Sequence, residues 1–389
     1  MNFLRVIASL DPERGGPSAG IRALTPVLAA QGHTTTCVSL DAPGLLPTDA
    51  APGATVHSLG PARGGYCYAS RLLPWLREHA ARYDAVFVHG LWQYHGYTVH
   101  RTLRRTRTPY VVFPHGMLDP WFQQAYPLKH FKKTIYWRLI EHRVLRDAAA
   151  VLFTSEEERR LAPTSFRPYH ATERVVVYGT TKSHFSDSTL AEAFQATLPG
   201  MSSPYWLYLG RLHEKKGIDL LVEAYAKLAA TAAAALPALV IAGPPQDAAF
   251  VERLRHRVGT LAAGAEVHWT GMLQGAAKWS LLSRAEALIL PSHQENFGIV
   301  VAEALACGTP VLISNKVNIW REIEADGAGL VEADTLAGTS QLLDRWLALA
   351  PRARARMRVA AHRCFEQRFE ISRVAASLVA TIRGIRGET

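Results

Sequence analysis

The order of apolar segments along the 389-residue chain is the feature that most constrains its fold. Short apolar runs alternate with longer stretches in which apolar residues recur three and four positions apart. The short runs predict buried strands, the longer stretches predict helices, and their alternation indicates parallel sheets covered by helices on both faces. The predicted strands lie at 3–10, 34–40, 54–59, 84–89, 110–113, 149–153, 174–178, 205–209, 238–242, 265–270, 286–290 and 310–313.

The length of the chain predicts two domains, because a single core usually stops growing at roughly 250–300 residues. The alternation breaks between 179 and 204, where glycine, serine and proline are frequent. The fold class is therefore predicted as α/β, with two Rossmann-like domains whose parallel sheets face a central cleft, which is the usual ligand site. The predicted parts are an N-terminal domain at 1–180, a linker at 181–204, a C-terminal domain at 205–370 and a final helix at 371–389.

Composition excludes several classes of protein. Hydrophobic residues make up 48% and charged residues 20%, which is typical of a globular chain and not of a disordered one. The four cysteines are scattered without a disulfide or zinc-binding pattern, which favours the reducing cytoplasm. No apolar run has the length of a membrane-spanning helix, and the first residues read as a strand, so a secretory signal is not expected.

The most specific motif covers 291–311, where a predicted strand ends in a polar turn and a helix begins. First-turn amides lack partners within a helix and lie at its positive end, which suits phosphate or sugar oxygens. Glu295 in the turn and Glu303 in the helix can accept hydroxyl groups of a ribose or a sugar. An isolated helix glutamate is more often only solvated, but the whole motif favours a ligand. The amides predicted to contact it belong to Asn296, Phe297, Gly298 and Ile299.

Two other predicted strands are followed by residues suited to phosphate. Arg211 and Lys216 follow the strand at 205–209, and a guanidinium group and an ammonium group on one loop suit a diphosphate. Most loop cations are merely solvated, so this signal is weak alone. Gly15 and Gly16 follow the first strand, and without side chains they let a ligand approach the backbone.

Histidine–glycine pairs end two adjacent predicted strands, at His89 and at His115. Histidines are often structural, but a histidine just beyond a strand end and before a glycine more often touches a ligand. We predict that His89 and the nearby Trp92 contact an acceptor molecule.

Together, the Glu295-x7-Glu303 motif, the Arg211–Lys216 loop and the Gly15–Gly16 loop resemble the "group 1" family of retaining, metal-independent GT-B glycosyltransferases. The resemblance implies C-terminal helices that return to the N-terminal domain. The sequence departs from the family pattern at 318–322, where it reads Asn-Ile-Trp-Arg-Glu instead of a glycine pair before a glutamate. Whether this loop contacts the donor is therefore left open.

The resemblance also implies a role for each matching residue. Arg211 and Lys216 would bind the donor diphosphate, and Glu303 would bind the ribose. Glu295 and His115 would act at the transferred sugar. The remaining donor contacts implied are the backbone of Gly16 and a base pocket at Met272 and Leu273.

The implied function is transfer of a hexose from a UDP- or GDP-sugar to a saccharide acceptor, with retention of configuration and without a metal or cofactor. Retention by double displacement requires a carboxylate nucleophile. The sequence offers no convincing candidate, which favours front-face transfer with the leaving phosphate taking the acceptor proton. The alternatives are a GT-B sugar-nucleotide epimerase and a non-catalytic scaffold that binds a nucleotide sugar or a membrane.

Positive charge is concentrated in one part of the chain. The net charge is +10, and between Arg101 and Arg146 ten lysines and arginines stand against two acids, a local excess of eight. Residues 127–146 have helical periodicity with apolar residues at Leu128, Phe131, Ile135 and Leu139 on one stripe. A basic face with aromatic residues suits an anionic membrane. The predicted membrane contacts are Lys129, Lys132, Lys133 and Trp137.

This membrane hypothesis favours a lipid-linked saccharide acceptor, a role in cell-surface polysaccharide synthesis and a place on the inner face of the cell membrane. The alternative is a helix whose apolar stripe packs in the core and whose basic side is solvated. A nucleic-acid partner is not expected, because no nucleic-acid-binding motif accompanies the charge.

Overall fold

The computed structural model describes residues 1–11, 15–47, 49–231, 236–260 and 265–388. The chain divides into two compact units. Unit 1 contains Met1–Gly179 and Ile371–Thr389, and unit 2 contains Thr180–Glu370. Each unit is built on one parallel sheet with helical connections, so the predicted two-domain α/β class is confirmed.

Unit 1 has a seven-stranded parallel sheet in the order β3-β2-β1-β4-β5-β6-β7. The order reverses between β1 and β4, which makes the carboxyl ends of these two strands the favoured ligand position. The strands are β1 (Asn2–Ile7), β2 (Thr34–Ser39), β3 (Ala54–Ser58), β4 (Ala85–His89), β5 (Tyr110–Phe113), β6 (Ala150–Phe153) and β7 (Glu173–Val175).

Unit 2 has a six-stranded parallel sheet in the order β10-β9-β8-β11-β12-β13, and its order reverses between β8 and β11. The last strand was not predicted, because only two apolar residues adjoin within Gly329–Glu332. The strands are β8 (Tyr205–Leu209), β9 (Ala238–Ala242), β10 (Val267–Gly271), β11 (Ala287–Leu290), β12 (Val311–Ser314) and β13 (Gly329–Glu332).

Helices connect the strands in both units. Among the described helices, none combines the length and apolar character needed to cross a bilayer. In chain order they are α1 (Gly16–Ala30), α2 (Leu72–His79), α3 (Tyr94–Leu103), α4 (Trp121–Ala125), α5 (Pro127–Tyr136), α6 (His142–Arg146), α7 (Glu156–Leu161), α8 (Asp187–Thr197), α9 (Ile218–Thr231), α10 (Ala248–Gly259), α11 (Gly275–Arg284), α12 (Ile299–Ala306), α13 (Trp320–Ala325), α14 (Leu336–Ala348), α15 (Pro351–Cys364) and α16 (Ile371–Arg386).

The final helix packs on unit 1, although the preceding 191 residues, 180–370, form unit 2. Its buried Ile371, Leu378 and Ile382 contact a core cluster that contains Phe3 and Phe87. The C-terminal chain therefore returns to the N-terminal unit, as the resemblance implied.

The segment expected to be a linker, 181–204, contains helix α8. The Ser186 hydroxyl accepts a hydrogen bond from the backbone N–H of Thr189 and caps this helix, and Phe194 is buried. Serine is as typical of a helix N-cap as of a loop, which is why composition alone suggested an irregular connection.

Two buried histidines, His89 and His95, and the half-buried His115 lie near the carboxyl ends of β4 and β5 in unit 1. Burial is the main cause that lowers the pKa of each, to well below 6.5 for His89, to about 4 for His95 and to about 3 for His115. The positive charge of the buried Arg5 lowers the pKa of His89 and His115 further. All three side chains are therefore neutral at pH 7.

Gly217 allows the loop after β8 to contact the turn after β11. Its φ is 65°, and a Cβ atom there would lie 2.1 Å from the carbonyl oxygen of Pro291. Next to it, the backbone N–H of His293 donates a hydrogen bond of 2.9 Å to the carbonyl of Lys215. Only glycine fits both the positive φ and the close approach.

We expect the buried histidines to make the protein acid-sensitive. Their pKa values are lower in the folded state than in the unfolded chain, so stability is present above about pH 6.5 and is lost as the pH falls towards about 4. Urea unfolding should show a lower free energy of unfolding at pH 5 than at pH 7. His95→Gln should reduce that loss by about 2 kcal/mol. If the free energy of unfolding fell equally between pH 7 and pH 5 in His95→Gln and in the unmodified protein, His95 would not be a cause of the acid sensitivity.

We also expect Gly217→Ala to destabilise unit 2 by about 3 kcal/mol or more, because strain and a clash with Pro291 add together. Gly200→Ala is the matched control, since its φ is 72° but nothing lies within 4 Å of the added Cβ. In that control the free energy of unfolding should fall by only about 1–2 kcal/mol, because the variant has the strain of a positive φ without the clash. Urea unfolding followed by tryptophan fluorescence measures both, and equal losses would show that the contact with Pro291 is unimportant.

Candidate functional site

In unit 2, two predicted donor-binding residues meet where the strand order reverses. The Lys216 ammonium group donates a short hydrogen bond to Oε2 of Glu295 and forms an ion pair with it. Lys216 belongs to the loop after β8 and Glu295 to the turn after β11. Both side chains are only partly exposed, so the pair is shielded more than a surface ion pair. The structure therefore joins residues that are 79 positions apart.

The backbone of Glu295 is held by the loop after β12. The Glu295 N–H donates to the carbonyl of Lys316 over 2.9 Å, and the Asn318 N–H donates to the carbonyl of Glu295 over 3.0 Å. This loop is the one that departs from the family pattern. Its described contacts hold the backbone of Glu295, from which the carboxylate reaches Lys216.

Helix α12 begins in the motif at 291–311. Gly298 precedes its first residue with a φ of 75°, and Ile299, whose side chain is exposed, starts the helix. The Phe297 ring is buried and packs edge-on against Phe369 at 5.6 Å between ring centroids. Phe297 therefore offers a ligand its backbone and not its ring, and contacts of the amides at 296–299 with a donor stay predictions.

A second lysine–carboxylate pair lies on two helices of unit 2. The Lys278 Nζ atom, on α11, donates a hydrogen bond of 2.6 Å to Oε1 of Glu303, on α12. Both side chains are mostly buried. Sequence reasoning missed Lys278, because a lone lysine 25 positions before its partner has no motif around it.

Three glycines follow or end adjacent strands of unit 2. Gly243, after β9, donates its N–H to the carbonyl of Gly271, which ends β10, over 2.7 Å. A Cβ atom on Gly243 would lie 1.8 Å from the carbonyl of Gly210, which follows β8. The strand ends therefore approach each other through backbone alone.

The other predicted donor contacts lie at the same edge of the unit 2 sheet. Arg211 is exposed directly after β8, and its carbonyl accepts a 3.0 Å hydrogen bond from the Tyr208 hydroxyl. Met272 is exposed and Leu273 is half-buried in the turn after β10. Arg211 thus adds a second cation to the loop that carries Lys216, beside an apolar turn, and the contacts of these residues with a donor stay predictions.

In unit 1, the two histidines predicted from strand ends do come together. His89 Nδ1 and His115 Nε2 are 3.0 Å apart, and the rings stack with centroids 5.2 Å apart. Arg5 Nη1 lies 3.2 Å from His89 Nε2, and the Tyr178 hydroxyl lies 3.0 Å from His115 Nδ1. Sequence reasoning identified neither Arg5 nor Tyr178, because both lie outside the histidine–glycine pairs.

The direction of each hydrogen bond in this chain follows from Arg5. An arginine can only donate, so Nε2 of the neutral His89 accepts and its Nδ1–H donates to His115. The neutral His115 then carries its proton on Nδ1 and donates to Tyr178. Both ring nitrogens of His115 are thus bonded within unit 1, and a sugar that used one would replace His89 or Tyr178.

His115 and Trp92 have positive φ values of 54° and 72°. Such backbone conformations are uncommon for residues with side chains and cluster at functional positions. Trp92 packs into the core cluster of unit 1, with the Lys133 ammonium group 4.5 Å from the centre of its ring. Gly16 opens α1, and, apart from its own stretch of chain, no atom of the described residues lies within 4 Å of the position a Cβ would take there. Contacts of Trp92 and Gly16 with substrates stay predictions.

One predicted membrane contact is wrong. The Trp137 side chain is only 1% exposed, and its indole N–H donates a 2.7 Å hydrogen bond to the carbonyl of Pro168. The alternation of basic and aromatic residues could not show that this ring points inward. Lys133 also turns inward, and burial with the nearby charge of Lys129 lowers its pKa to about 8.

A metal site was not expected from the sequence. Within the described ranges, no three histidine, cysteine, aspartate or glutamate side chains are grouped as metal ligands. Metal independence stays a prediction.

Comparisons with known proteins identify both halves of the chain. A family model described as "Glycosyl transferases group 1" matches residues 191–363, and one described as "Glycosyl transferase 4-like domain" matches residues 15–179. These matches cover the Lys216–Glu295 and Lys278–Glu303 pairs in unit 2 and the His89–His115 pair in unit 1.

Two curated relatives share part of the chain. A glycogen synthase of Mycobacterium tuberculosis CDC 1551 is 36% identical over 122 residues, which are 31% of this chain and 28% of that protein. A GDP-mannose-dependent alpha-(1-6)-phosphatidylinositol dimannoside mannosyltransferase of Mycobacterium tuberculosis H37Ra is 31% identical over 180 residues, 45% of this chain and 43% of that protein. The chain therefore spans less than half of the length of either relative.

A solved structure is similar over the full chain. Anabaena HepE, crystallised with UDP and glucose, matches with a TM-score of 0.73 and 17% identity, over 99% of this chain and 100% of that one. At this identity the likeness shows the fold, which is that of the GT-B enzymes. With its two parallel-sheet units and both family models, the chain belongs to the group 1 glycosyltransferases with a GT-B fold.

Proposed function

We propose that the protein transfers a hexose from a nucleotide diphosphate sugar to a saccharide acceptor. The observation that carries this proposal is the pair of lysine–carboxylate contacts in unit 2, Lys216–Glu295 and Lys278–Glu303. In each pair a cation lies next to a carboxylate that could accept hydroxyl groups, and the residues belong to loops or helices that follow strands of the sheet. A nucleotide sugar has a diphosphate between its ribose and the sugar to be transferred. Its phosphates can bind cations, and the hydroxyl groups of both sugars can bind carboxylates.

The donor is a UDP- or GDP-sugar in this proposal. HepE was crystallised with UDP and glucose, whereas the mannosyltransferase relative is named for GDP-mannose, so relatives support either base. Arg211 and Lys216 bind the diphosphate, and Glu303 binds the ribose hydroxyls. The backbone at 296–299, the turn at Met272 and Leu273, and Gly16 of unit 1 complete the donor contacts.

Transfer with retention is proposed to proceed on one face of the sugar. The bond from the anomeric carbon to the phosphate oxygen breaks, the acceptor oxygen bonds to that carbon, and the acceptor proton moves to the leaving phosphate. Cations and helix amides stabilise the negative charge on the departing diphosphate. Glu295 and His115 orient the sugar, and the neutral state of His115 suits a hydrogen-bonding role rather than a charged one.

The acceptor is proposed to be a lipid-linked saccharide in cell-surface polysaccharide synthesis, with the enzyme on the inner face of the cell membrane. One relative is named as a phosphatidylinositol dimannoside mannosyltransferase, and phosphatidylinositol dimannoside is a lipid-linked saccharide. The basic segment around α5 supports the same location. His89 and Trp92 are the proposed acceptor contacts.

We expect Glu295→Gln and Lys216→Met to separate donor binding from transfer. A donor phosphate must compete with Glu295 for the Lys216 ammonium group. Glu295→Gln should therefore bind UDP or GDP at least as tightly as the unmodified protein, yet turn over about 100-fold more slowly. Lys216→Met, and likewise Arg211→Met, should weaken nucleotide binding about tenfold or more. Calorimetry with UDP and GDP and a transfer assay measure the two effects.

The result also tests the alternatives. A ligand at 100 times its Kd should stabilise the protein by about 2.7 kcal/mol, so thermal unfolding reports binding without turnover. If neither nucleotide stabilises the protein, the donor proposal fails. Conversion of the nucleotide sugar without an acceptor would indicate an epimerase. Nucleotide-sugar binding without any turnover would indicate a scaffold.

We expect Lys278 to act as a positioning residue that holds Glu303 towards the ribose. Lys278→Met should weaken UDP or GDP binding by about fivefold, because the carboxylate loses a charged hydrogen bond. It should weaken binding of the 2′-deoxynucleotide much less. Lys278→Arg should retain part of the preference for ribose. Equal losses for the ribo and deoxy nucleotides would show that Lys278 supports the fold rather than Glu303.

A further inference from the structure

The apolar stripe of α5 faces solvent instead of the core. Its four side chains continue from α5 into the π-helical turn at 137–141, and no residue of α5 is buried. The exposed fractions are 82% for Leu128, 66% for Phe131, 50% for Ile135 and 61% for Leu139. The alternative that this stripe packs in the core is therefore wrong. We call these four side chains the α5 stripe.

The opposite side of the same helix fixes it to unit 1. His130 stacks on Phe166 with ring centroids 4.5 Å apart, and Lys133 lies over the Trp92 ring. Trp137 is buried against Phe166 at 5.1 Å. The helix is thus held in place by an inward aromatic face, and the outward position of the α5 stripe does not depend on a loose segment.

Exposed large hydrophobic side chains are concentrated around α5. Ten large hydrophobic side chains are exposed among the described residues, and five lie within 126–139, namely Tyr126 and the four of the α5 stripe. Soluble proteins rarely expose contiguous apolar surface of this kind unless it has a binding partner. The stripe therefore indicates a docking surface.

The charges beside the stripe identify the partner. At 100° per residue, Lys132 and Lys129 fall on one side of the stripe and Arg138 on the other, and all three are exposed. The only acid between 120 and 146 is Glu141, which is buried. Apolar side chains bordered on both sides by cations match the acyl and headgroup layers of an anionic bilayer.

We propose that the α5 stripe and its bordering cations dock the protein on the surface of an anionic membrane, with the stripe in the acyl region and the cations at lipid phosphates. A second copy of the chain fits less well, because a symmetric contact would bring cations against cations. This inference rests on the proposed function only for the membrane-linked acceptor. The donor site belongs to unit 2 and does not enter it.

Vesicle cosedimentation tests the apolar part. The full chain should bind vesicles of phosphatidylcholine with phosphatidylglycerol, and Phe131→Ser/Ile135→Ser should reduce the bound fraction at least about tenfold. Leu45→Ser/Val359→Ser is the matched control, since these side chains are similarly exposed away from α5. The control should bind like the unmodified protein.

A second pair of variants tests the charges. Lys129→Gln/Lys132→Gln should reduce binding to the phosphatidylglycerol vesicles and weaken its dependence on salt. Arg352→Gln/Arg356→Gln removes the same charge from exposed positions on α15 and should change neither. Vesicles of phosphatidylcholine alone should bind the unmodified protein weakly.

The proposal would be overturned if the unmodified protein did not bind anionic vesicles. It would also be overturned if Phe131→Ser/Ile135→Ser bound them as well as the unmodified protein. A dimer in sedimentation velocity that this variant dissolves would assign the stripe to a second copy instead. Nucleotide-induced thermal shifts on every variant verify folding and separate the two proposals. A shift without vesicle binding defeats only the docking surface, and vesicle binding without a shift defeats only the donor site.

Discussion

Parallel strand pairing decides where the chemistry of this protein can lie. Every strand of a parallel sheet ends at the same edge, so the turns that follow the strands collect there. Both sheets are covered by helices on both faces, which leaves little room for polar side chains along the strands themselves. In unit 2 the residues predicted to bind the donor accordingly come from the turns after β8, β10 and β11 and from neighbouring helices. In unit 1 the histidines follow the same rule at β4 and β5.

Buried charged groups have different partners in the two units. In unit 2 each partly buried carboxylate of the candidate site has a lysine partner, so a negatively charged ligand must take over a cation that is already engaged. In unit 1 the buried cation Arg5 faces neutral histidines and an aromatic ring. The buried positive charge of Arg5 helps to keep His89 and His115 neutral, because it lowers the pKa of both.

Much of the fold could be predicted from the sequence because apolar periodicity reports burial directly. The predicted strands correspond to twelve of the thirteen strands of the structure, and β13 was missed because its apolar stretch is so short. The motifs also led to Lys216 and Glu295, which the structure brings together. Lys278 could not be found, because its partner on another helix depends on tertiary packing alone.

Side-chain direction was the second limit of sequence reasoning. Basic and aromatic residues alternate around α5, but only the structure shows that Trp137 is inside while Leu128 and Phe131 are outside. An amphipathic helix usually places its apolar stripe in the core. Here an inward aromatic face holds the helix instead, and the pattern alone cannot distinguish these two arrangements.

The return of α16 to unit 1 affects how the chain acquires its structure during synthesis. All of unit 2 leaves the ribosome before residues 371–386 do, so the first unit to begin emerging is the last to be completed. Until then the face of its sheet that carries Phe3 and Phe87 lacks one of the two helices that pack on it, since α1 is already made and α16 is not. The nascent protein thus exposes part of an apolar sheet face throughout translation of some 190 residues, 180–370, a period in which chaperone binding would protect it from aggregation.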